Sequence, residues 1–216
     1  MKLNNTNKLL TALLIGAALF TSSASAGNLT LEITSQFGSG SYDGAAAAPY
    51  VLSVTDSLGH NSSVLAGCDD YNTHIGYNDP WSGKAFTLSA ANLSNLKFSS
   101  AGLFAYEEAA VIFTDLKNTP SLDVAGSVAI WSLFAPGSVN IASVFGAQAE
   151  LDHAYALVAA GGLDYSGITI YTPTPLGASQ EFITGSVTPT PEPTTYAMMG
   201  GGLILLGWAR RRVRGN

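Results

Sequence analysis

The sequence has little charge, and its central part has very few cations. Charged residues make up 11% of the 216 residues, against roughly 25% in an average soluble domain. Residues 27–190 contain three lysines and no arginine but fourteen acidic residues, a formal net charge of −11. Because a nucleic-acid-binding surface needs clustered cations, this composition excludes nucleic acid as a partner. The hydrophobic fraction of 47% excludes a disordered polyelectrolyte.

Cysteine and the common catalytic motifs are also scarce. Cys68 is the only cysteine, so no disulfide can form within the chain. The Gly-x-Ser-x-Gly turn that carries many hydrolase nucleophiles does not occur. The glycine-rich segment 38–43 lacks the last glycine of a dinucleotide-binding loop and precedes no predicted helix. We therefore expect a protein that is not an enzyme and that needs no cofactor.

Residues 1–26 have the three parts of a secretory signal peptide. Lys2 and Lys8 give a positive start, and an apolar run covers Leu9–Phe20. Ala24-Ser25-Ala26 supplies the small residues of a cleavage site, with Gly27 as the first mature residue. The alternative is a transmembrane anchor, which needs about 20 apolar residues, more than this run provides. The sequence therefore predicts export.

Residues 188–216 form a second targeting segment. A Pro/Thr-rich spacer containing Pro191-Glu192-Pro193 precedes an apolar stretch at 196–209, and four arginines follow it: Arg210, Arg211, Arg212 and Arg214. Such a pattern stops transfer through the membrane and keeps the arginines in the cytoplasm. A helix of this length spans only about 21 Å, which is short for a permanent transmembrane anchor. We expect a removable tail, and a plain single-pass anchor is the alternative.

The order of spacer, apolar stretch and arginine cluster resembles the PEP-CTERM sorting signal of exported proteins of Gram-negative bacteria. Pro191, Glu192 and Pro193 match its motif residue by residue. The resemblance implies recognition by an exosortase, a membrane-embedded transpeptidase-like enzyme, after transient anchoring in the inner membrane. It also implies transfer of the rest of the chain to the cell surface or to the exopolysaccharide matrix.

Between these segments, residues 27–187 are long enough for a single domain, which we call the body. Alternating apolar residues predict strands at 28–34, 50–55 and 63–66, and further strands at 167–171 and 180–183. The alanine run at 45–48 precedes a proline and is expected to be a loop.

Helical spacing of apolar residues begins after residue 100. It predicts a helix over 106–116, with Glu107, Glu108 and Asp115 facing solvent. A second helix is predicted from Thr119-Pro120 to about residue 133. A third is predicted over 140–160, with Tyr155 on its apolar side. Strands at both ends and about three central helices give an α+β fold.

One polar turn in the body could carry chemistry. It contains Cys68, Asp69 and Asp70, and His74 follows. We favour a structural cysteine in a hydrogen-bonded turn, and a metal site and a nucleophilic Cys-His pair remain open. Aspartates beside a thiol raise its pKa, which opposes nucleophilic activation.

The metal interpretation is weaker than the structural one. A calcium loop starting at Asp70 would need glycine and glutamate where Ile75 and Trp81 stand. The three histidines, His60, His74 and His153, are too dispersed to predict a zinc site. We therefore predict no metal.

Several elements of the body also resemble a group of uncharacterised PEP-CTERM proteins. These elements are Cys68-Asp69-Asp70-Tyr71, Pro80-Trp81, Tyr106-Glu107-Glu108-Ala109-Ala110 and residues 128–134. The same pattern distantly resembles the thioester domains of bacterial surface adhesins, in which a cysteine and a glutamine form an internal thioester. Here the glutamine position is Ser127. A hydroxyl side chain cannot supply the acyl group, so we expect the fold without the thioester.

These observations predict an exported, exosortase-processed protein of the cell surface or extracellular matrix, with a structural or adhesive role. The predicted partners are the exosortase, the secretion machinery and, as a candidate, exopolysaccharide. The alternative is a carbohydrate-binding module or a surface enzyme. In that case Tyr71, Tyr77 and an exposed Trp81 would stack on sugar rings beside Asp69, Asp70 and Asp79. Core packing of these aromatic residues is the interpretation that we favour.

Overall fold

The computed structural model describes residues 27–190, which form ten strands and three α-helices. The helices are α1 (Leu103–Asn118), α2 (Asp123–Phe134) and α3 (Ala147–Ala160). The strands are β1 (Leu29–Gln36), β2 (Ser41–Tyr42), β3 (Ala45–Ala46), β4 (Tyr50–Thr55), β5 (Asn61–Cys68), β6 (Trp81–Thr87), β7 (Leu163–Asp164), β8 (Thr169–Pro173), β9 (Phe182–Thr184) and β10 (Thr188–Pro189). The predicted α+β class is confirmed.

Six strands close into an antiparallel barrel in the order β1-β4-β5-β9-β8-β6. The register is continuous along β4 and β5, from the pair Tyr50 and Ala66 to the pair Thr55 and Asn61. Strand β1 changes register between Ile33 and Ser35, and such a bulge increases the local bend that closure requires. The barrel therefore joins the first strands of the chain to the last.

Alternating side chains fill the barrel interior. Along β4, Tyr50, Leu52 and Val54 are buried while the residues between them are partly exposed. They meet Leu31, Ile33, Trp81 and Phe182 from the neighbouring strands. Strands β8 and β9 are buried on both faces, because Tyr171 and Phe182 point into the barrel while Ile170 and Ile183 pack under the helices.

The helical layer lies on that covered side of the barrel. Helix α1 places Phe113 so close to β5 that a Cβ on Gly67 would lie 2.8 Å from the ring. Glycine at this position therefore allows the helix and strand to approach each other. Helix α2 buries Val128 and Trp131 in a separate cluster beside β3.

The predicted strands at 28–34, 50–55 and 63–66 are confirmed as β1, β4 and β5, and the first helix is confirmed as α1. The second predicted helix corresponds to two consecutive elements. A 3-10 turn at Pro120–Leu122 has its proline at the first helical position, and α2 follows it. The strands predicted at 167–171 and 180–183 overlap β8 and β9, but their bounds differ from those of the structure. Strand β10 lies beyond residue 187, the last residue of the predicted body.

Three expectations are wrong in detail. Glu108 is buried against the core instead of facing solvent, and Tyr155 is 58% exposed. The third helix begins only at Ala147, because Gly146 adopts a left-handed conformation with φ +89°. The alanine run is not helical, as expected, and its first two residues form the short strand β3. Strand β6 was not predicted. The barrel closure was not predicted either, since strand pairing across many residues leaves no local pattern.

Within residues 27–190, no helix is both long and apolar enough to cross a membrane. The signal-cleavage residues Ala24 and Ala26, the apolar stretch 196–209 and the arginines that follow it lie outside the described residues.

Gly185 offers a direct test of the packing between the last strands. Its φ is +105°, and a Cβ there would lie 2.0 Å from the carbonyl oxygen of Gly167. We expect Gly185→Ala to lower the free energy of unfolding by about 3 kcal/mol, through backbone strain and overpacking together. Urea unfolding followed by tryptophan fluorescence measures the loss.

Gly59→Ala is the matched control, because Gly59 has φ +86° and no atom within 4 Å of the added Cβ. It should cost only about 1 kcal/mol, the backbone contribution alone. Equal losses in the two variants would contradict the close approach at Gly185.

Candidate functional site

The polar turn predicted at Cys68 begins where β5 ends. Cys68 pairs with Phe182 of β9 and is almost fully buried. Its sulfur accepts a hydrogen bond from the backbone N–H of Asp70 at 3.4 Å, and its S–H donates to the Asp70 carbonyl oxygen at 3.3 Å. The thiol therefore closes a local turn, as a structural cysteine does.

The environment of Cys68 opposes ionisation. Burial raises the pKa of the thiol well above its usual value, and the charge of Asp69 adds to that effect. The nearby Trp131 side chain acts in the opposite direction but more weakly. Because the thiolate is the reactive form, the folded protein holds an unreactive thiol.

Two wholly buried carboxyl groups lie beside this turn, on Asp69 and Glu181. Glu181 accepts hydrogen bonds from the Tyr106 hydroxyl at 2.5 Å, the Thr172 hydroxyl at 2.6 Å and the backbone N–H of Lys97 at 2.8 Å. Among residues 27–190, no group donates a hydrogen bond to either carboxyl oxygen of Asp69.

The two groups therefore differ in how strongly they hold a proton. Burial, followed by the charge of Glu181, raises the pKa of Asp69 well above its usual range. Burial also raises the pKa of Glu181, and the three hydrogen bonds that it accepts offset only part of that rise. The neutral form is favoured more strongly for Asp69 than for Glu181, since ionised Asp69 would be a buried charge with no donor.

Lys97 provides the cation of this cluster. Its Nζ contacts Oδ2 of Asp70 and donates to the Thr73 hydroxyl at 2.9 Å and to the Ser179 carbonyl oxygen at 2.8 Å. The Lys97 and Asp70 side chains are 13% and 2% exposed. The other oxygen of Asp70 accepts the Thr73 backbone N–H at 3.1 Å.

We call Asp69, Asp70, Lys97 and Glu181 the charged cluster. Sequence analysis found its two aspartates but missed Lys97 and Glu181. A weak signal existed for both. Lys97 is one of only three lysines in the body, and Glu181 interrupts an otherwise uncharged predicted strand.

A cleft of about 230 Å³ opens next to the charged cluster. Its lining includes Asp70, Tyr71, His74, Tyr77, Trp131 and Gln180. The Tyr71 ring packs on Trp131 with centroids 5.2 Å apart. The Tyr77 ring is 49% exposed, and its hydroxyl donates to Oε1 of Gln36 at 3.3 Å. We call this the aromatic cleft.

The structure brings only part of the expected aromatic set together. Tyr71, Tyr77 and Asp70 line the aromatic cleft, but Asp79 is not in its lining. Trp81 lies in the barrel interior, which agrees with the favoured interpretation of core packing and removes it from the alternative sugar-binding set. Asp69 is fully buried and cannot face a ligand in the cleft.

The remaining candidates do not form one site. His60 contacts Asp56 at 3.0 Å on an exposed turn, and His153 lies 3.6 Å from Asp115 on the helical layer. Ser127, at the position of the thioester glutamine, is buried in α2. Among residues 27–190, no group of three histidine, cysteine, aspartate or glutamate side chains could hold a metal ion.

Comparison with protein families identifies the end of the chain. Residues 189–213 match the PEP-CTERM protein-sorting motif. The chain therefore carries the signal of an exported protein that an exosortase processes, a sorted substrate with a transient membrane anchor.

Two further comparisons concern the whole chain. No curated protein matches the sequence. Among solved structures, the chain is similar to the N-terminal domain of the Streptococcus pyogenes pilus tip adhesin Cpa. That similarity has 12% sequence identity and a TM-score of 0.43, and it covers 79% of this chain and 97% of the adhesin domain.

The buried carboxyl pair predicts an unusual pH dependence of stability. Asp69 has a raised pKa in the folded state, whereas the unfolded chain releases that proton near the usual value of about 4. The folded state then binds more protons than the unfolded state, so stability falls as pH rises above about 4, by at most about 1.4 kcal/mol per pH unit. Urea unfolding from pH 5 to pH 8 measures this slope.

Asp69→Asn should flatten the slope and stabilise the protein at pH 8 relative to the wild type. Asp56→Asn is the control, because hydrogen bonds from His60 lower the pKa of exposed Asp56. The wild type loses the contribution of Asp56 to stability as pH falls below about 4, so Asp56→Asn should reduce the pH dependence of stability in that acidic range. A wild-type slope that Asp69→Asn leaves unchanged would contradict the assignment of the proton.

The state of Cys68 is tested by thiol titration. With Ser127 at the glutamine position, we expect one free thiol per chain after unfolding in guanidinium and almost no reaction in the folded state. Cys68→Ser gives the blank. Methylamine should form no adduct, and an adduct on a carboxyl or carboxamide side chain that accompanies release of the Cys68 thiol would show that Cys68 is acylated after all.

Proposed function

We propose that this protein is a non-catalytic surface or matrix protein whose body has a structural or adhesive role outside the cell. The observation that carries the proposal is the sorting motif at residues 189–213. In this proposal the signal peptide directs export, the tail holds the chain in the inner membrane, and an exosortase removes the tail. The body then stays at the cell surface or in the matrix.

The junction between body and tail supports processing close to the folded domain. Strand β10 pairs with β7, and the N–H of Thr190 donates to the Gly162 carbonyl oxygen at 2.8 Å. Pro191-Glu192-Pro193 follows directly. Three residues extend at most about 11 Å, so the motif stays next to the body while the enzyme acts on it.

The sorting step is tested by replacing Pro191, Glu192 and Pro193 with alanines in the full-length chain. We expect membrane insertion to be retained, because the apolar stretch and the arginines are intact. The unprocessed form should accumulate in the membrane at least tenfold over wild type. Immunoblots of membrane and medium fractions, with intact mass of each form, provide the measurement.

A matched control replaces Thr188, Thr194 and Thr195 with alanines, which changes the same spacer but spares the motif. It should be processed like the wild type. Processing of the Pro191-Glu192-Pro193 variant at the wild-type rate would instead favour a plain anchor with nonspecific proteolysis.

A second candidate function is saccharide binding, and the aromatic cleft favours it. Its volume of about 230 Å³ suits one or two sugar units. Exposed Tyr77 and half-buried Tyr71 offer ring faces, and Asp70, His74 and Gln180 offer polar groups. Stacking on aromatic rings beside hydrogen-bonding groups is a common design of small-ligand sites. The polymer best placed to meet this cleft outside the cell is exopolysaccharide.

Tyr77→Ala tests this candidate with little risk to folding, because the ring is half exposed. Loss of one stacking ring should weaken binding of exopolysaccharide from the producing strain about tenfold, or about 1.4 kcal/mol. Affinity electrophoresis measures the change. Tyr155→Ala removes an equally exposed tyrosine outside the cleft and should have no effect. If Tyr77→Ala binds exopolysaccharide as tightly as Tyr155→Ala, the aromatic cleft is not the binding site.

A further inference from the structure

The charged cluster holds an amine and a carboxyl group in contact inside the fold. Nζ of Lys97 touches Oδ2 of Asp70, and the side chains are 13% and 2% exposed. The Thr73 hydroxyl and the Ser179 carbonyl oxygen fix the amine from two further directions. Groups held in reacting geometry behave as if present at on the order of 10⁵–10⁸ M.

We infer that Lys97 and Asp70 form an intramolecular amide cross-link between Nζ and Cγ. An exported protein with one cysteine cannot use an internal disulfide. This cross-link would join the segment after β5 to the segment before α1, and it is independent of the sorting signal and of the aromatic cleft.

The step balances without another reactant. The Lys97 ammonium gives a proton to the Asp70 carboxylate, and the neutral amine attacks Cγ. The bond from Cγ to Oδ2 then breaks, and that oxygen leaves as water with two of the three ammonium hydrogens. The third hydrogen stays on the amide nitrogen, and the positive and negative charges cancel.

The surroundings favour this condensation. The Thr73 backbone N–H, 3.1 Å from Oδ1 of Asp70, can stabilise the negative charge that develops on Oδ1 during attack, as an oxyanion-hole donor does. Condensation also replaces a buried ammonium and a buried carboxylate by a neutral amide, which removes their desolvation cost.

Intact mass spectrometry of the full-length or processed chain under denaturing conditions tests the inference. The wild type should be lighter than its calculated mass by one water molecule. Tryptic mapping should give a branched peptide that joins the segment with Asp70 to the segment with Lys97. Lys97→Arg and Asp70→Ala should both have their full calculated masses.

Asp70→Asn gives a different mass change, because an amide side chain that forms the same cross-link would lose ammonia instead of water. Lys117→Arg is the matched control. Within residues 27–190, the Lys117 amine donates hydrogen bonds to the Gly185 carbonyl oxygen and the Ser186 hydroxyl and to no carboxyl group, so this variant should keep the loss of water.

Three results would overturn the inference. One is a wild-type chain at its full calculated mass, which would leave a plain ion pair. Another is a loss of water that maps to a linear peptide, since aspartate can also cyclise to a succinimide. The third is retention of the loss in Lys97→Arg. Mapping of the wild type decides the question even where a variant fails to fold.

Discussion

The burial of three carboxyl groups around one lysine is the constraint on which the rest of this structure depends. Removing an ion from water costs several kcal/mol, so each charge in the cluster needs close partners. Those partners come from separate segments: Tyr106 from α1, Thr172 from β8, Thr73 from the loop after β5 and Ser179 from the loop before β9. The cluster is complete only when the barrel is closed and α1 is docked, so it links the two layers.

Local sequence patterns account for most individual elements of the fold. The alternation of Leu29, Leu31 and Ile33 found β1, and the helical spacing from Tyr106 to Leu116 found α1, because each pattern reports burial on one face. Barrel closure could not be found in this way. The pairing of β5 with β9 joins Cys68 to Phe182, and no residue in either strand indicates its partner.

Glu108 shows where the same patterns mislead. Its charge suggested a solvent-facing position, yet it lies on a helix that is covered on most sides. Polarity predicts exposure only where water can reach the helix face, and the packing of α2 and α3 against α1 removes that access.

The candidate site was predictable to a similar, partial extent. The run Cys68-Asp69-Asp70 marked a polar turn, and the structure adds why aspartates can be buried there: one holds a proton and the other pairs with Lys97. Core packing was the favoured prediction for the aromatic residues and holds for Trp81, because its position as the first residue of β6 turns the indole into the barrel. Tyr71 and Tyr77 stay in the loop, so they alone can line the cleft.

The short link between body and tail sets the order of events in the proposed function. The chain is fixed to the body as far as Thr190, and the apolar stretch begins at Tyr196, so the extended link measures at most about 21 Å. A body tethered that closely faces the bilayer on one side and reaches only polymer next to the membrane. In the proposed function, removal of the tail would lift this restriction, and the matrix would become accessible to the aromatic cleft only afterwards. Processing would then be the step that activates binding as well as the step that releases the protein.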